Sequence, residues 1–337
     1  MKKLLLAIPF CLSASVMAAG APVGIVIHGG AGTIDRSKMT EEQRQDYEAT
    51  LTKAVNQGYE LLAAGGSSLD AVTLAVTVLE DSPLFNAGKG AVYTWDENHE
   101  LDAAIMTGQD RNAGAVASVT NVKNPILLAR AVMEKSDHVM LTGIGAEQFA
   151  AAQQLELVDN SYFNTEFRYE ALKKAKQARQ KLPQQATVEV DPGWKMGTVG
   201  AVAIDNTGNL AAATSTGGMT AKRWGRVGDV PVIGAGNFAD NSSCAVSGTG
   251  HGEYFIRYNV ASDICARVKY QGKTAATAAN EVITELLQVG GTGGVIVVDN
   301  KGELSWAFNT QGMYRAKRNY AGTVVEIFAT ETEKAGN

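Results

Sequence analysis

Two stretches of this 337-residue chain share one scheme, and it constrains the fold more than any other feature. "TVGAVAIDNTGNLAAATST", residues 198–216, and "GGVIVVDNKGELSWAFNT", residues 293–310, each read strand, polar turn, strand. Short apolar runs flanking such a turn favour antiparallel hairpins. Upstream, "PVGIVIHGGAGT", residues 22–33, is a β-branched run ending in glycines, which predicts a buried strand and a tight turn. Thr40 and Gln43 form a capping-box pattern for a helix continuing to Leu62, stopped by Gly65 and Gly66. Ser68 and Asp70 open a second helix with Ala71, Leu74, Ala75 and Val78 on one face. Long helices beside hairpins predict α+β layers with largely antiparallel sheets, not a parallel doubly wound sheet.

The character of the chain changes at "KMGTVG", residues 195–200. Before it, from Glu156 to Lys195, charges and glutamines mix with little apolar periodicity beyond one helical stretch, so a solvated, mobile segment over about 157–197 is expected. After it the chain is rich in Gly, Ala and Val.

The first residues, "MKKLLLAIPFCLSASVMAAG", place two lysines before an apolar run and small residues up to Ala18, which predicts a secretory signal over residues 1–18 and a periplasmic mature protein. The run is too short to span a bilayer. Cleavage after Ala18 removes two lysines and no acid, taking the formal charge from -5 to -7. So acidic a chain is a poor nucleic-acid binder. An oxidising compartment permits a Cys244–Cys265 disulfide, although the sequence alone favours two buried thiols. With 45% hydrophobic residues, the core needs no cysteine framework.

Familiar catalytic motifs fail. "HGGAG" at 28–32 has the look of an esterase oxyanion loop, but no G-x-S-x-G follows. "NAGKG" lacks the rest of a phosphate loop. The four histidines, His28, His99, His138 and His251, form no H-E-x-x-H and have no close cysteine, which argues against zinc and against a Ser-His-Asp triad. A hydroxyl nucleophile then needs another base. A threonine at a chain start has one in its own α-amine, whose pKa is roughly 7.7 to 8. An internal threonine gains that amine only if the preceding bond is cut, and glycine there tolerates strain and leaves its carbonyl open to attack. Gly197-Thr198 meets that requirement.

"GTVGAVAID", "ATSTGGMT", "GRVGD", "GAGNFAD" and "SGTGHGE" follow one another from residue 197 onward, after "VIHGGAGT", "SPLFNAGKGAV" and "LDAAIMTG". In that order they resemble the plant-type L-asparaginase / isoaspartyl peptidase family of N-terminal-nucleophile hydrolases, over essentially all of the mature chain but the linker. The resemblance implies a four-layer αββα sandwich that cuts itself into an α chain, 19–197, and a β chain, 198–337, which together form one domain. It implies Thr198 as nucleophile on Gly197 and then on substrate, with Thr216 bonded to it and Asn86 close by. Arg226 and Asp229 would grip the α-carboxylate and α-amine of an aspartyl group, a task suited to a guanidinium and a carboxylate. Thr249 and Gly250 would form the oxyanion hole and also contact substrate. Gly252 would shape that loop, while His251 receives no role. Main-chain carbonyls of Leu79, Glu80, Ser82, Phe85, Ala87 and Lys89 would hold a structural sodium ion. No catalytic cofactor is implied. The expected substrates are L-asparagine and β-aspartyl dipeptides, and the expected assembly is a homodimer of αβ pairs. Glycosylasparaginase shares this fold but typically carries aspartate before the threonine, where Gly197 stands. A non-enzymatic periplasmic binding protein would instead keep its chain intact.

Overall fold

The computed structural model describes residues 22–181, 197–330 and 333, so the expected signal segment lies outside the described residues. Twelve strands among them form two sheets. The larger contains β1 (Gly24–Gly32), β2 (Leu101–Thr107), β3 (Ala113–Val119), β4 (Met140–Thr142), β5 (Val199–Ile204), β6 (Leu210–Thr216), β11 (Gly312–Asn319) and β12 (Gly322–Phe328), in the order β12-β11-β1-β5-β6-β2-β3-β4. The smaller contains β7 (Asn237–Ala239), β8 (Cys244–Gly250), β9 (Gly293–Asp299) and β10 (Leu304–Phe308), ordered β10-β9-β8-β7. Every pairing is antiparallel except β3 with β4. Both expected hairpins are present, with Ile204 opposite Leu210 and Val298 opposite Leu304.

Strand alternation builds the layers, because successive side chains leave opposite faces. Ile25 and Ile27 of β1 face outward with Val199, Ala201 and Ala203 of β5. There they meet Leu51, Val55 and Leu62 of α1 (Glu41–Ala63) and Ala71, Ala75 and Leu79 of α2 (Ser68–Glu80). The helix α3 (Pro125–Lys135) packs on the same side through Ile126 and Val132. Val26, Val202 and Ile204 point the other way, onto Ala245, Ile296 and Val298 of the small sheet. Val246, Val295 and Val297 then face Ile264 of α7 (Val260–Gln271) and Val282 and Leu286 of α8 (Ala275–Gln288). Three apolar interfaces between four layers give the αββα sandwich. Each fully buried Leu, Ile or Val contributes about 1.5–3 kcal/mol.

Local signals hold with small shifts. Thr40 Oγ1 accepts from the Gln43 N–H at 3.1 Å, and Gln43 Oε1 accepts from the Thr40 N–H at 3.0 Å. Helix α2 opens at Ser68 with Asp70 in its first turn, as expected, and Ser67 before it caps the helix by accepting from the Asp70 N–H. Cys244 and Cys265 form a disulfide, which replaces the favoured pair of thiols. The expected mobile segment is too long. Residues 160–163 form a 3-10 turn and α5 (Glu166–Gln180) follows, with Leu172 and Ala175 buried. Arg168 of α5 is buried too, its Nε donating to the Gly90 carbonyl at 2.9 Å. Residues 182–196 lie outside the described residues.

Candidate active site

Thr198 stands immediately before β5, the strand held between β1 and β6. The backbone around it is packed too tightly for side chains. A Cβ on Gly30, where φ is +111°, would stand 2.6 Å from Gly197 Cα; one on Gly197 would stand 2.6 Å from Asn86 Cβ. Glycine before the threonine is thus a steric requirement. The Gly197 carbonyl accepts from the Asn86 N–H at 3.0 Å. Asn86 itself is locked, since its Nδ2 donates to the Gly218 carbonyl at 2.7 Å and its Oδ1 accepts from the Val92 N–H at 2.9 Å. Thr198 Oγ1 donates to Thr216 Oγ1 at 3.1 Å, and Thr216 Oγ1 also accepts from the Gly218 N–H at 3.0 Å. Asn86, Thr198 and Thr216 therefore meet through Gly218.

A second network, unread in the sequence, supports Thr198 from beneath. His28 Nδ1 lies 3.0 Å from the Thr198 carbonyl and its Nε2 lies 2.9 Å from Ser247 Oγ. Ser247 Oγ lies 2.7 Å from Thr214 Oγ1, which accepts from Asn237 Nδ2 at 3.0 Å. Burial drives the His28 pKa down to about 3, despite its bond to the Thr198 carbonyl. A neutral imidazole has one N–H. The carbonyl only accepts, so that proton sits on Nδ1, and Nε2 accepts from Ser247. Ser247 in turn accepts from Thr214. Gly200, opposite His28 in the sheet, makes the room: a Cβ there would lie 2.0 Å from Ser247 Oγ. His28 lies in both the "HGGAG" and the "VIHGGAGT" strings, and neither gave it a role.

Thr198, Thr216, Arg226, Asp229, Gly250 and His251 line one small cavity of about 40 Å³. Asp229 is buried with Oδ2 unpartnered among the described residues. Burial raises its pKa to about 7, opposed by the nearby Arg226. An orphaned buried carboxyl oxygen needs a donor. The Arg226 guanidinium is engaged by Glu253, Nε to Oε1 at 3.0 Å and Nη2 to Oε2 at 3.1 Å. His251 approaches the same carboxylate, Nε2 to Oε2 at 3.3 Å. Glu253 closed the "SGTGHGE" string but carried no assignment from sequence. A Cβ on Gly252 would lie 2.7 Å from Asp229 Oδ1 and 2.9 Å from Arg226 Nη2, so glycine is what lets the three approach. Thr249, one residue behind Gly250 on β8, has a buried and unpartnered Oγ1 among the described residues.

Leu79, Glu80, Ser82, Phe85, Ala87 and Lys89 fall in the end of α2 and the turn leading to a 3-10 helix at Gly88–Gly90. A Cβ on Gly88 would lie 2.3 Å from the Glu80 carbonyl, and one on Gly90 2.1 Å from that of Phe85. The turn therefore closes against its own main-chain oxygens, donors that suit a hard cation. Carbonyls of Phe85 and Ala87 each accept one N–H, from Ala87 and Gly90, which leaves a second lone pair on each, while that of Leu79 accepts from both Asp81 and Ser82. No group of three or more His, Cys, Asp or Glu side chains among the described residues could hold a metal. The Glu80 side chain points away from this role: Oε1 accepts from Ser215 at 2.6 Å and from the Ile126 N–H at 3.1 Å, and burial lifts its pKa to about 8.

A family profile described as asparaginase matches residues 21–326. The chain is 52% identical over 299 residues to the isoaspartyl peptidase of Escherichia coli (strain K12), covering 88% of this chain and 93% of that protein. It is 45% identical over 290 residues to the isoaspartyl peptidase/L-asparaginase of Xenopus laevis, covering 86% and 90% respectively. To the protein of the same name from Rattus norvegicus it is 44% identical over 313 residues, covering 91% and 90%.

Proposed function

The chain belongs to the asparaginase family, and on that premise we propose that it is a self-processing threonine hydrolase of β-aspartyl dipeptides and of the side-chain amide of L-asparagine. The observation that carries this reading is the Thr198 hydroxyl bonded to Thr216, beside a Gly197 carbonyl already held by the Asn86 N–H. Thr198 Oγ1 adds to the Gly197 carbonyl, the Asn86 N–H meets the oxygen that becomes negative, and the C–N bond breaks to leave an ester and a free α-amine. Water then hydrolyses the ester and frees the two chains. The new amine serves as base for the same hydroxyl.

Substrate enters with its α-carboxylate toward Arg226 and its α-ammonium toward the unpartnered oxygen of Asp229. Thr198 attacks the β-carbonyl, and Thr249 and Gly250 face the developing oxyanion. Ammonia or an amino acid departs, and water releases aspartate from the acyl-threonine. Glutamine, one methylene longer, misplaces its carbonyl, and an error of 1 Å costs on the order of a hundredfold. The test is a denaturing gel with N-terminal sequencing, followed by assays on L-asparagine, β-aspartyl-leucine and glutamine. Two fragments, the smaller beginning Thr-Val-Gly-Ala, and turnover of the first two substrates only, are expected; an intact active chain would overturn the reading.

We also propose that the 79–89 loop binds a structural sodium ion, export to the periplasm through residues 1–18, and a homodimer of αβ pairs. The closed main-chain turn supports the first and the Cys244–Cys265 disulfide supports the second. Exposed Val139, Met140 and Ile144 beside the edge strand β4 offer apolar surface for the third. Melting with and without sodium, fractionation of cells lacking residues 1–18, and sizing in solution test them in turn.

A further inference from the structure

Beside the catalytic cavity lies a wider cleft of about 320 Å³, lined by Trp95, Met219, Lys222, Arg223, Trp224 and Arg226 among others. Met219 and Arg226 line both, so the two spaces adjoin. The cleft wall is built with care. The turn after β6 is pinned to the segment before β2, with the Ala221 N–H donating to the Tyr93 carbonyl at 2.8 Å and the Trp95 N–H to that of Lys222 at 2.9 Å. Ala221 and Trp224 both have left-handed backbones, φ 59° and 58°, which residues other than glycine adopt at a cost. Trp224 is 93% exposed. The Arg223 guanidinium carbon lies over the Trp95 ring, 3.3 Å from its centroid, and among the described residues no carboxylate pairs with it, so its N–H groups can meet a planar anion. Lys222 does not compete, because its amine is buried and donates to the Glu100 carbonyl at 2.8 Å.

We propose that this cleft is the subsite for the leaving residue of a β-aspartyl dipeptide: Trp224, Trp95 and Met219 receive an apolar or aromatic side chain, and Arg223 receives the free α-carboxylate. The inference rests on the function proposed above and adds a preference to it. One end of such a substrate is fixed by Arg226 and Asp229, so everything beyond the scissile amide must occupy space contiguous with them. An indole face and a guanidinium edge match the apolar body and anionic end of a C-terminal Phe or Leu. L-asparagine, whose leaving group is ammonia, does not reach the cleft.

The experiment uses the self-cleaved protein with β-aspartyl-phenylalanine, its C-terminal amide, β-aspartyl-glycine and L-asparagine. The wild type is expected to favour the phenylalanine dipeptide over both the glycine dipeptide and the amide. Trp224→Ala should lower kcat/KM for β-aspartyl-phenylalanine about tenfold, or about 1.4 kcal/mol, chiefly through KM. It should leave L-asparagine within about twofold. Arg223→Ala should abolish the preference for the acid over the amide. Equal losses on asparagine and dipeptide, or equal wild-type rates on the phenylalanine and glycine dipeptides, would overturn the subsite. Failure of the underlying reading looks different: wild-type protein would neither cut its chain nor release ammonia from asparagine.

Discussion

The Asn86 N–H donates to the Gly197 carbonyl at 3.0 Å, while both polar atoms of the Asn86 side chain are bound elsewhere. The side chain thus clamps its own backbone, and the backbone would polarise the bond proposed to break.

Asn86→Ala keeps the N–H but releases the clamp. Self-cleavage should slow roughly a hundredfold, the cost of a small misplacement of a reacting group. A time course on a denaturing gel checks it, and cleavage at the wild-type rate would show the clamp to be unnecessary.

Gly30→Ala should block processing outright, because its Cβ would stand 2.6 Å from Gly197 Cα and its φ is +111°. Gly143→Ala is the matched control: its φ is also positive, at 51°, but nothing lies within 4 Å of the added carbon. The control is expected to lose some stability and to cleave fully.

Ser247→Ala removes the donor to His28 Nε2 and leaves the imidazole free to change tautomer, loosening its hold on the Thr198 carbonyl. We expect kcat for L-asparagine to fall about tenfold with little change in KM, since no substrate contact is lost. His28 stays neutral at working pH with its pKa near 3, so the pH profile should keep its shape. A displaced limb in kcat would instead make His28 a proton carrier.

Asp229 must be ionised to hold an ammonium, and burial raises its pKa to about 7. Affinity for L-asparagine should therefore improve as pH rises from 6 to 8, read as a falling KM. The sign for stability is opposite. An acid whose pKa is higher folded than unfolded contributes most while protonated, and loses that contribution as pH rises through the folded value. Asp229→Asn, inactive toward substrate, should thus gain in Tm relative to wild type between pH 5 and pH 8. A gap that stays constant would refute the raised pKa.

The hairpins and the first helix could be read from the chain because their information is local: a turn between apolar runs, a threonine three residues before a glutamine. Thr198, Thr216, Arg226 and Asp229 came from ordered motifs that resemble a family, and the cavity gathers all four. The support beneath them was invisible. His28 and Ser247 are 219 residues apart and meet only because the two sheets stack. Helix α5 showed only as one helical stretch inside a segment expected to be mobile, for another reason. One of its buried positions is Arg168, so the apolar period that should announce a packed helix is broken by a charge. The arginine is tolerated because the Gly90 carbonyl receives it.

The order of the large sheet gives the proposed cut at Gly197-Thr198 its physical meaning. Strands from before the cut, β1 to β4, alternate with strands from after it, so β1 sits between β11 and β5, and β5 with β6 sits between β1 and β2. The two products would be interlocked like the teeth of a closed zip, each half lacking neighbours that only the other supplies. While the chain is whole, those neighbours find one another within a single molecule, at the modest entropic cost of closing a loop. Once it is cut and unfolded, the same meeting becomes an encounter between two molecules that depends on concentration. The protein would assemble readily once and then hold its shape through the slowness of coming apart.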